Sequence, residues 1–443
     1  MNRIIIIGNG FDKAHGLATG YRDFIDNYWI NVSCHIFNGY KREIATKWGV
    51  INDPSSYEDE LVLFEVFQDK RHKTPEPLYS HLNSTPYDEV RELVAIFNDS
   101  TNMKYDGSVR LTFKNKFFEH ISGRCSLNTW VDIENEYYGK LKELLAEDDT
   151  VIRSEKVRAL NREFDAVKKH LEIYLTEVVQ KTQTKQFPSI QEAFNSIIDP
   201  IEVAVGKQKM FVDSILSNIT TLDKKVDAVQ LDKKEDPNYL FFHSQDEERN
   251  YYVMKHLSDK PFQETHCIPK NTLILNFNYT QTGEKLYARN KDWVINIHGE
   301  LNNERKPIIF GYGDELDEDY KRIEKLQDND FLENIKSVRY HETNRYRYLL
   351  DFIEYKPYQV LIMGHSCGNS DRTLLNTLFE HRNCISVKVY YHQREDGTDD
   401  YSQLIRNLSR NFNDKPAMRD KVVNKEYCLP LVPIPRKHTE ESL

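Results

Sequence analysis

The sequence predicts an α/β protein: a doubly wound parallel sheet interrupted by a large helical insertion. Three observations predict it. The chain opens with a short β-branched run, Arg3–Ile7, closed by Gly8, the pattern of a central parallel strand buried on both faces. Further short apolar runs return only after Lys270, at Thr272–Phe277, Trp293–Ile297, Pro307–Phe310, Gln359–Met363 and Ile385–Tyr391. Helical or loop stretches separate them, which is the alternation such a sheet requires. Between these two regions, from Trp130 onward, helical periodicity dominates. The expected organisation is therefore a nucleotide-binding α/β core from residues 1–30 plus 265–430 and a mainly helical insertion from 31–264. The Pro-containing end, 431–443, reads as a peripheral tail.

Each element has its own signal. Phe24 and Tyr28, four apart, place a helix near Tyr21–Tyr28. Leu61, Leu63, Phe64 and Phe67 read as a helix over Glu60–Phe67; Val90, Leu93, Val94 and Phe97 read as another over Tyr87–Phe97. Helices follow over Val131–Leu145 and Ser154–Thr182. The second carries an apolar seam of Leu160, Phe164, Val167, Leu171, Tyr174 and Val178. Such a seam packs a bundle within the chain or joins two copies through helices 131–182. Residues 188–222 are helical with a break at Pro200, and 223–237 form a charged loop.

Composition narrows the function. A net charge of −10 gives no overall basic footprint for nucleic acid. No two of the six cysteines stand at CxxC spacing, which removes a structural zinc site and a redox dithiol; no metal is expected. No apolar run approaches the ~20 residues that cross a bilayer. The opening Ile4–Ile7 run is too short for a signal-peptide core. A cytoplasmic protein with no membrane contact is expected.

Six motifs carry polar chemistry. In Gly8-Asn9-Gly10-Phe11-Asp12, Gly8 permits the tight turn and Gly10 lets the backbone approach a phosphate. His15, Thr19 and Tyr21 make this loop more polar than a plain βα turn needs, although Lys13 leaves the GxGxxG fingerprint incomplete. In Asn276-Phe277-Asn278-Tyr279-Thr280, Asn278 can orient a ribose hydroxyl or a water and Thr280 can add a hydroxyl; helix capping is the plain alternative. Ile297-His298-Gly299 puts a proton-transfer group at a strand end. Gly364-His365-Ser366-Cys367-Gly368-Asn369-Ser370-Asp371 has the GxSxG form of a nucleophile elbow, with Ser366, Asp371 and one of His381, His392 or His438 as a triad. The more economical reading is a nucleotide-contacting loop in which Asp371 caps the helix Arg372–Phe379. Asp132 and Glu136 would share a helix face beside Glu134, as a metal or acid/base pair or, more simply, a solvated helix start. Arg339–Tyr348 interleaves basic and aromatic residues, as base stacking or an amphipathic helix would. Four of these motifs end a predicted strand, and such ends converge on one crevice.

The stretch Ile6 and Gly8–Asp12 with His15-Gly16-Leu17 and Tyr21 closely resembles the AbiH family of bacterial abortive phage infection proteins. Trp130–Glu134, Phe277–Thr280, Ile297–Gly299, Gly364–Ser366 and Ser370-Asp371 resemble its other blocks in the same order. A more distant likeness is to the Rossmann-like, sirtuin-type NAD-binding fold. That resemblance implies NAD as substrate, Asn278 holding ribose or water, and His298 as base. Glu134 or Asp12 would stabilise developing positive charge. Gly8, Asn9, Gly10, Phe11, Asp12, His15, Tyr21, Thr280, Gly364, His365, Ser366 and Asp371 would line the nucleotide, the Gly8–Phe11 backbone taking the pyrophosphate. Tyr279-Thr280 stands where sirtuins carry Asp, and their CxxC zinc module is missing, so protein deacetylation is not expected. The expected function is anti-phage defence by hydrolysis of the NAD N-glycosidic bond, held off until a regulatory partner or phage cue acts. Two alternatives stay open. One is a metal-dependent nuclease or phosphoester hydrolase using Asp12, His15, Glu134 and His298. The other is a nucleotide-sensing module that signals through the long helix.

Overall fold

The computed structural model describes residues 1–36, 55–66, 85–98, 109–127, 132–219, 266–289 and 293–434. Strands among the described residues are β1 (Asn2–Ile7), β2 (Tyr57–Glu58), β3 (Val62–Val66), β4 (Val109–Phe113), β5 (Asn271–Asn276), β6 (Val294–Asn296), β7 (Tyr358–Met363) and β8 (Cys384–Tyr390). Five of them form an all-parallel sheet in the order β6-β5-β1-β7-β8. The first strand of the chain lies at its centre, with Ile7 level with Asn276 on one side and Met363 on the other. Its β-branched residues suit that place. Ile4 and Ile6 enter one core and Ile5 and Ile7 the core on the opposite face, each burial worth about 1.5–3 kcal/mol. Buried Arg3 ties the edge of this layer together. Its guanidinium donates to Ser196 O at 2.7 Å, Ile197 O at 2.9 Å and Gln359 Oε1 at 2.9 Å.

Helices of the N-terminal half are α1 (Asn9–Ala14), α2 (Tyr21–Ile36), α3 (Pro86–Asn98), α4 (Lys116–Leu127), α5 (Ile133–Leu144), α6 (Thr150–Lys181), α7 (Pro188–Asn195) and α8 (Gln208–Ile219). α6 begins where Asp149 Oδ1 accepts from the amides of Val151 and Ile152. Its seam residues Leu160, Phe164, Val167, Leu171 and Tyr174 are buried inside the chain, in one core with α2, α4 and α5. Phe164 stacks on Tyr137 at 4.0 Å and on Phe310 at 4.6 Å. The seam is thus filled by this chain's own helices, as the bundle reading of the pattern expects. The segment 310–332 also packs into this helical core through Phe310, Tyr312, Ile323 and Phe331.

Four expectations are corrected. The described part of Glu60–Phe67 is strand β3, paired antiparallel with β2 and β4. Val62 and Phe64 face the core alternately, and Asp59 holds the turn between β2 and β3, its N donating to Val62 O and its Oδ1 accepting from Leu61 N and Val62 N. The insertion therefore holds a small sheet as well as helices. Pro307–Phe310 forms no strand; Ile309 N donates to His298 O at 2.7 Å, and Pro307 lies against Gly299. The tail is not peripheral where it starts, because Leu431 N donates to Tyr391 O and its side chain is buried. Residues 435–443, the loop 223–237 and Trp130-Val131 lie outside the described residues.

C-terminal helices are α9 (Thr282–Tyr287), α10 (Glu318–Lys325), α11 (Lys336–Arg339), α12 (Arg345–Tyr355), α13 (Arg372–Glu380), α14 (Tyr401–Asn411) and α15 (Lys415–Lys421). α12, α13 and α14 cover one face of the parallel sheet; α7 and α9 contribute to the other. The strand order reverses about β1, with β5 and β6 added on one side and β7 and β8 on the other. Such a reversal opens a crevice at the carboxyl ends of the strands.

Candidate active site

A cavity of about 570 Å³ occupies that crevice. Every expected site residue except Phe11 and His15 lines it. The Phe11 side chain is fully buried beneath the sheet edge. The His15 ring is held away from the cavity, with Nδ1 donating to Phe11 O at 2.7 Å and Nε2 2.8 Å from the Tyr287 hydroxyl. Since a carbonyl only accepts, that tautomer takes the Tyr287 proton at Nε2.

The glycine loop is built for packing. A Cβ on Gly8 would stand 2.5 Å from His365 Cα, and one on Gly10 would stand 2.8 Å from Gly364 O. Gly364 has φ +70°, and its own Cβ would fall 2.0 Å from Phe11 N. The loops after β1 and β7 therefore interlock with no room for side chains. Their amides are also engaged: Gly8 N donates to Met363 O, Gly10 N to Gly364 O at 2.7 Å and Phe11 N to Gly8 O. Three of the four amides of the expected Gly8–Phe11 pyrophosphate cradle are thus engaged within the protein.

The chemistry of the cavity centres on Asp371. Its residue stands at the N-cap of α13, yet its side chain caps nothing. Oδ1 lies 2.8 Å from Lys336 Nζ and 3.2 Å from His298 Nε2, and Oδ2 lies 3.5 Å from His365 Nε2. Lys336 also donates to Glu134 Oε2 at 2.9 Å. Glu134 reaches this place because Asp132 accepts from Asn135 N and starts α5. Its Oε1 accepts from Gly311 N at 3.1 Å. Glu136 points elsewhere, to His120 and Arg124, so Asp132 and Glu136 do not pair.

Burial and charge tune these groups. Burial pulls the Lys336 ammonium down, but Asp371 and Glu134 outweigh it and hold its pKa above the ordinary value. Asp371 is held well below the carboxylate range, since Lys336 and His298 overcome its burial. Burial pushes Glu134 up to about 7, with Asp371 and Asp132 adding to it against Lys336. Burial and Lys336 lower His298 against the pull of Asp371, so the imidazole is neutral at pH 7. Its Nδ1 lies 3.1 Å from Phe277 O and must carry the proton. Its Nε2 then offers a lone pair, 3.2 Å from the Tyr340 hydroxyl. That hydroxyl stays protonated because burial, Asp371 and Glu134 raise its pKa.

The β5 loop completes the site. Asn276 Nδ2 donates to Thr280 O and to Asn296 Oδ1. Asn278 Nδ2 donates to Gly8 O at 3.0 Å, and Thr280 donates to Asp12 Oδ2 at 2.6 Å. Neither residue caps α9. Asn9 Oδ1 accepts from Thr19 at 2.6 Å, and half-buried Tyr21 faces the cavity beside Tyr279. Ser366 is exposed, and among the described residues no histidine hydrogen-bonds its hydroxyl. His365 turns to Cys367 N and Asp371, and His381 to Glu354; His438 lies outside the described residues. This geometry is not that of a nucleophile elbow. Of the Arg339–Tyr348 segment, Tyr340 faces His298, and Arg345 Nη1 donates to Asn296 O at 2.8 Å; the segment serves the site from within. Lys336 escaped the sequence reading altogether, since no local pattern marks it.

An acid–base cluster opening into a cavity at the carboxyl edge of a parallel sheet defines an α/β protein with its ligand pocket at the strand ends. The chain belongs to the AbiH family: the family model described as Bacteriophage abortive infection AbiH matches residues 4–392. The match takes in Ile4–Ile7 of β1 and every residue of the Glu134–Lys336–Asp371–His298 cluster, and the family's role is abortive infection, a defence against phage. No curated protein matches the chain, and no solved structure matches it. No described helix is long and apolar enough to cross a membrane.

Proposed function

We propose that the cavity binds a nucleotide, NAD, and that the chain hydrolyses its N-glycosidic bond when phage infection activates it. The observation that carries this reading is His298. Phe277 O fixes its tautomer, Nε2 accepts from the Tyr340 hydroxyl at the cavity wall, and Asp371 Oδ1 stands 3.2 Å away to stabilise the imidazolium. The sheet edge, the cavity size within the ~300–1,000 Å³ of small-molecule pockets, and the sirtuin-like order of Asn278 and His298 support a Rossmann-like use of the sheet. Residues 1–30 plus 265–430 act as the nucleotide-binding part. The insertion contributes Glu134, and a regulatory partner or phage cue releases the activity.

In the reaction, water attacks the ribose C1′ as the C1′–nitrogen bond breaks. The bond's electron pair leaves with neutral nicotinamide, and the water proton passes to His298 Nε2. Asn278, its amide nitrogen held by Gly8 O, orients the water or the ribose with its carbonyl oxygen. Glu134 is neutralised by Lys336, which leaves Asp12 as the carboxylate that faces developing positive charge without an opposing cation. A metal nuclease built on Asp12, His15, Glu134 and His298 fits less well. His15 is turned into the core, and an ammonium already bridges the carboxylates of Glu134 and Asp371.

The test incubates purified protein with NAD, with and without chelator, and follows nicotinamide by proton NMR. Chelator-insensitive release that is lost in His298→Ala and Asn278→Ala is expected. Release that survives His298→Ala removes the assignment. Binding without release favours the sensing module.

A further inference from the structure

We infer that Asp12 is the sugar contact of the cavity: its Oδ1 accepts a hydrogen bond from a hydroxyl of the ribose beside the bond that breaks, so the ligand class is a nucleotide carrying a second ribose with free hydroxyls. The inference deepens the nucleotide reading above and rests on it.

Asp12 is 1% exposed and lines the cavity. Its Oδ2 accepts from Thr280. Its Oδ1 is buried and accepts no hydrogen bond from any described residue. An ionised carboxylate has about four lone-pair sites, and buried polar atoms are nearly always paired. The other buried carboxylates of the cavity differ, because Lys336 satisfies both Glu134 and Asp371. Asp12 is therefore the acid kept open for something that enters.

The entrant must be a donor. A phosphate offers only acceptor oxygens and negative charge, and Asp12 repels it. A hydroxyl fits, because the neighbours are neutral and polar: Thr280 Oγ1 lies 3.2 Å from Thr282 Oγ1, and Asn278 flanks them. Burial also pushes Asp12 up to about 6, against hydrogen bonds from the Thr280, Thr282 and Asn278 side chains. Asp12 closes the β1 loop beside Asn278 at the end of β5, so the ribose it holds is the one that Asn278 and His298 address.

Calorimetry on the full chain tests this with ADP-ribose and with ADP, which lacks the second ribose. Wild type is expected to bind ADP-ribose about tenfold more tightly than ADP, the size of one hydrogen bond to a charged group. Asp12→Asn should remove that preference without weakening ADP binding. Equal weakening of both nucleotides, an unchanged preference, or no binding of either overturns the inference. The wild-type comparison needs no variant, and a ratio below about threefold overturns it alone. Nicotinamide release from NAD is followed beside it. Asp12-dependent ADP-ribose binding without release sinks the hydrolysis and keeps the sugar contact; release with Asp12-independent binding does the reverse.

Discussion

Lys336 Nζ lies 2.8 Å from Asp371 Oδ1, the same oxygen that stands 3.2 Å from His298 Nε2. Two cations, one permanent and one transient, thus share a single carboxylate oxygen. The ammonium keeps Asp371 ionised and the imidazole neutral, and the carboxylate is in place when the imidazole takes a proton.

Lys336→Met should therefore raise the His298 titration midpoint. The ammonium is one of the causes that lower it, and its removal leaves Asp371 to favour the imidazolium. A pH series of nitrogen-edited histidine ring spectra reads the shift directly. A midpoint that stays put or falls shows that Lys336 does not act on His298.

The same variant should lose stability. Removing the ammonium leaves Glu134 and Asp371 buried without their cation, a change that costs about 3–5 kcal/mol when a buried pair is broken. Urea unfolding measures it, and adding Glu134→Gln should recover part of the loss. A loss under about 1 kcal/mol contradicts the buried network.

Asp12→Asn should stabilise the fold at pH 8 but not at pH 4. The folded carboxyl is raised from 3.8 to about 6. Its contribution is fully present below about 3.8 and is lost as pH rises through about 6, where the buried group must ionise. The variant escapes that loss, so a gain of about 1–3 kcal/mol at pH 8 is expected, shrinking to nothing near pH 4. Denaturant curves at the two values check it; an equal gain at both refutes the burial argument.

Gly10→Ala and Gly364→Ala should lower the melting temperature with no nucleotide present. Each added Cβ meets backbone at 2.8 Å or less, and Gly364 also has φ +70°. Overpacking of this kind costs about 1–3 kcal/mol or more. Unchanged melting with weakened nucleotide binding would point to a phosphate role for the loop.

The parallel strands were legible because a short β-branched run bounded by glycine has few other uses. Glu60–Phe67 was not, since its apolar spacing fits both a helix and a strand. Pairing with Val109–Phe113 decides it, and that partner is invisible locally. The strand-end positions of Asn278, His298 and Asp371 followed from the alternation of elements. Side-chain directions did not. His15 read as a ligand contact because Tyr287, which holds it, lies 272 residues away. Gly8 and Gly10 read as a phosphate loop because the close approach that demands them comes from Gly364 and His365. Lys336 reads as a surface lysine until Glu134, 202 residues away, and Asp371 close around it.

We propose that His298 drives NAD cleavage during abortive infection. The most direct test measures NAD and nicotinamide by NMR in extracts of cells carrying the chain, before and after challenge with a phage it blocks. Loss of NAD with matching nicotinamide in wild type, and neither in a stably expressed His298→Ala variant, is the predicted result. Protection from phage with NAD undiminished, or NAD loss that persists in His298→Ala, contradicts the account.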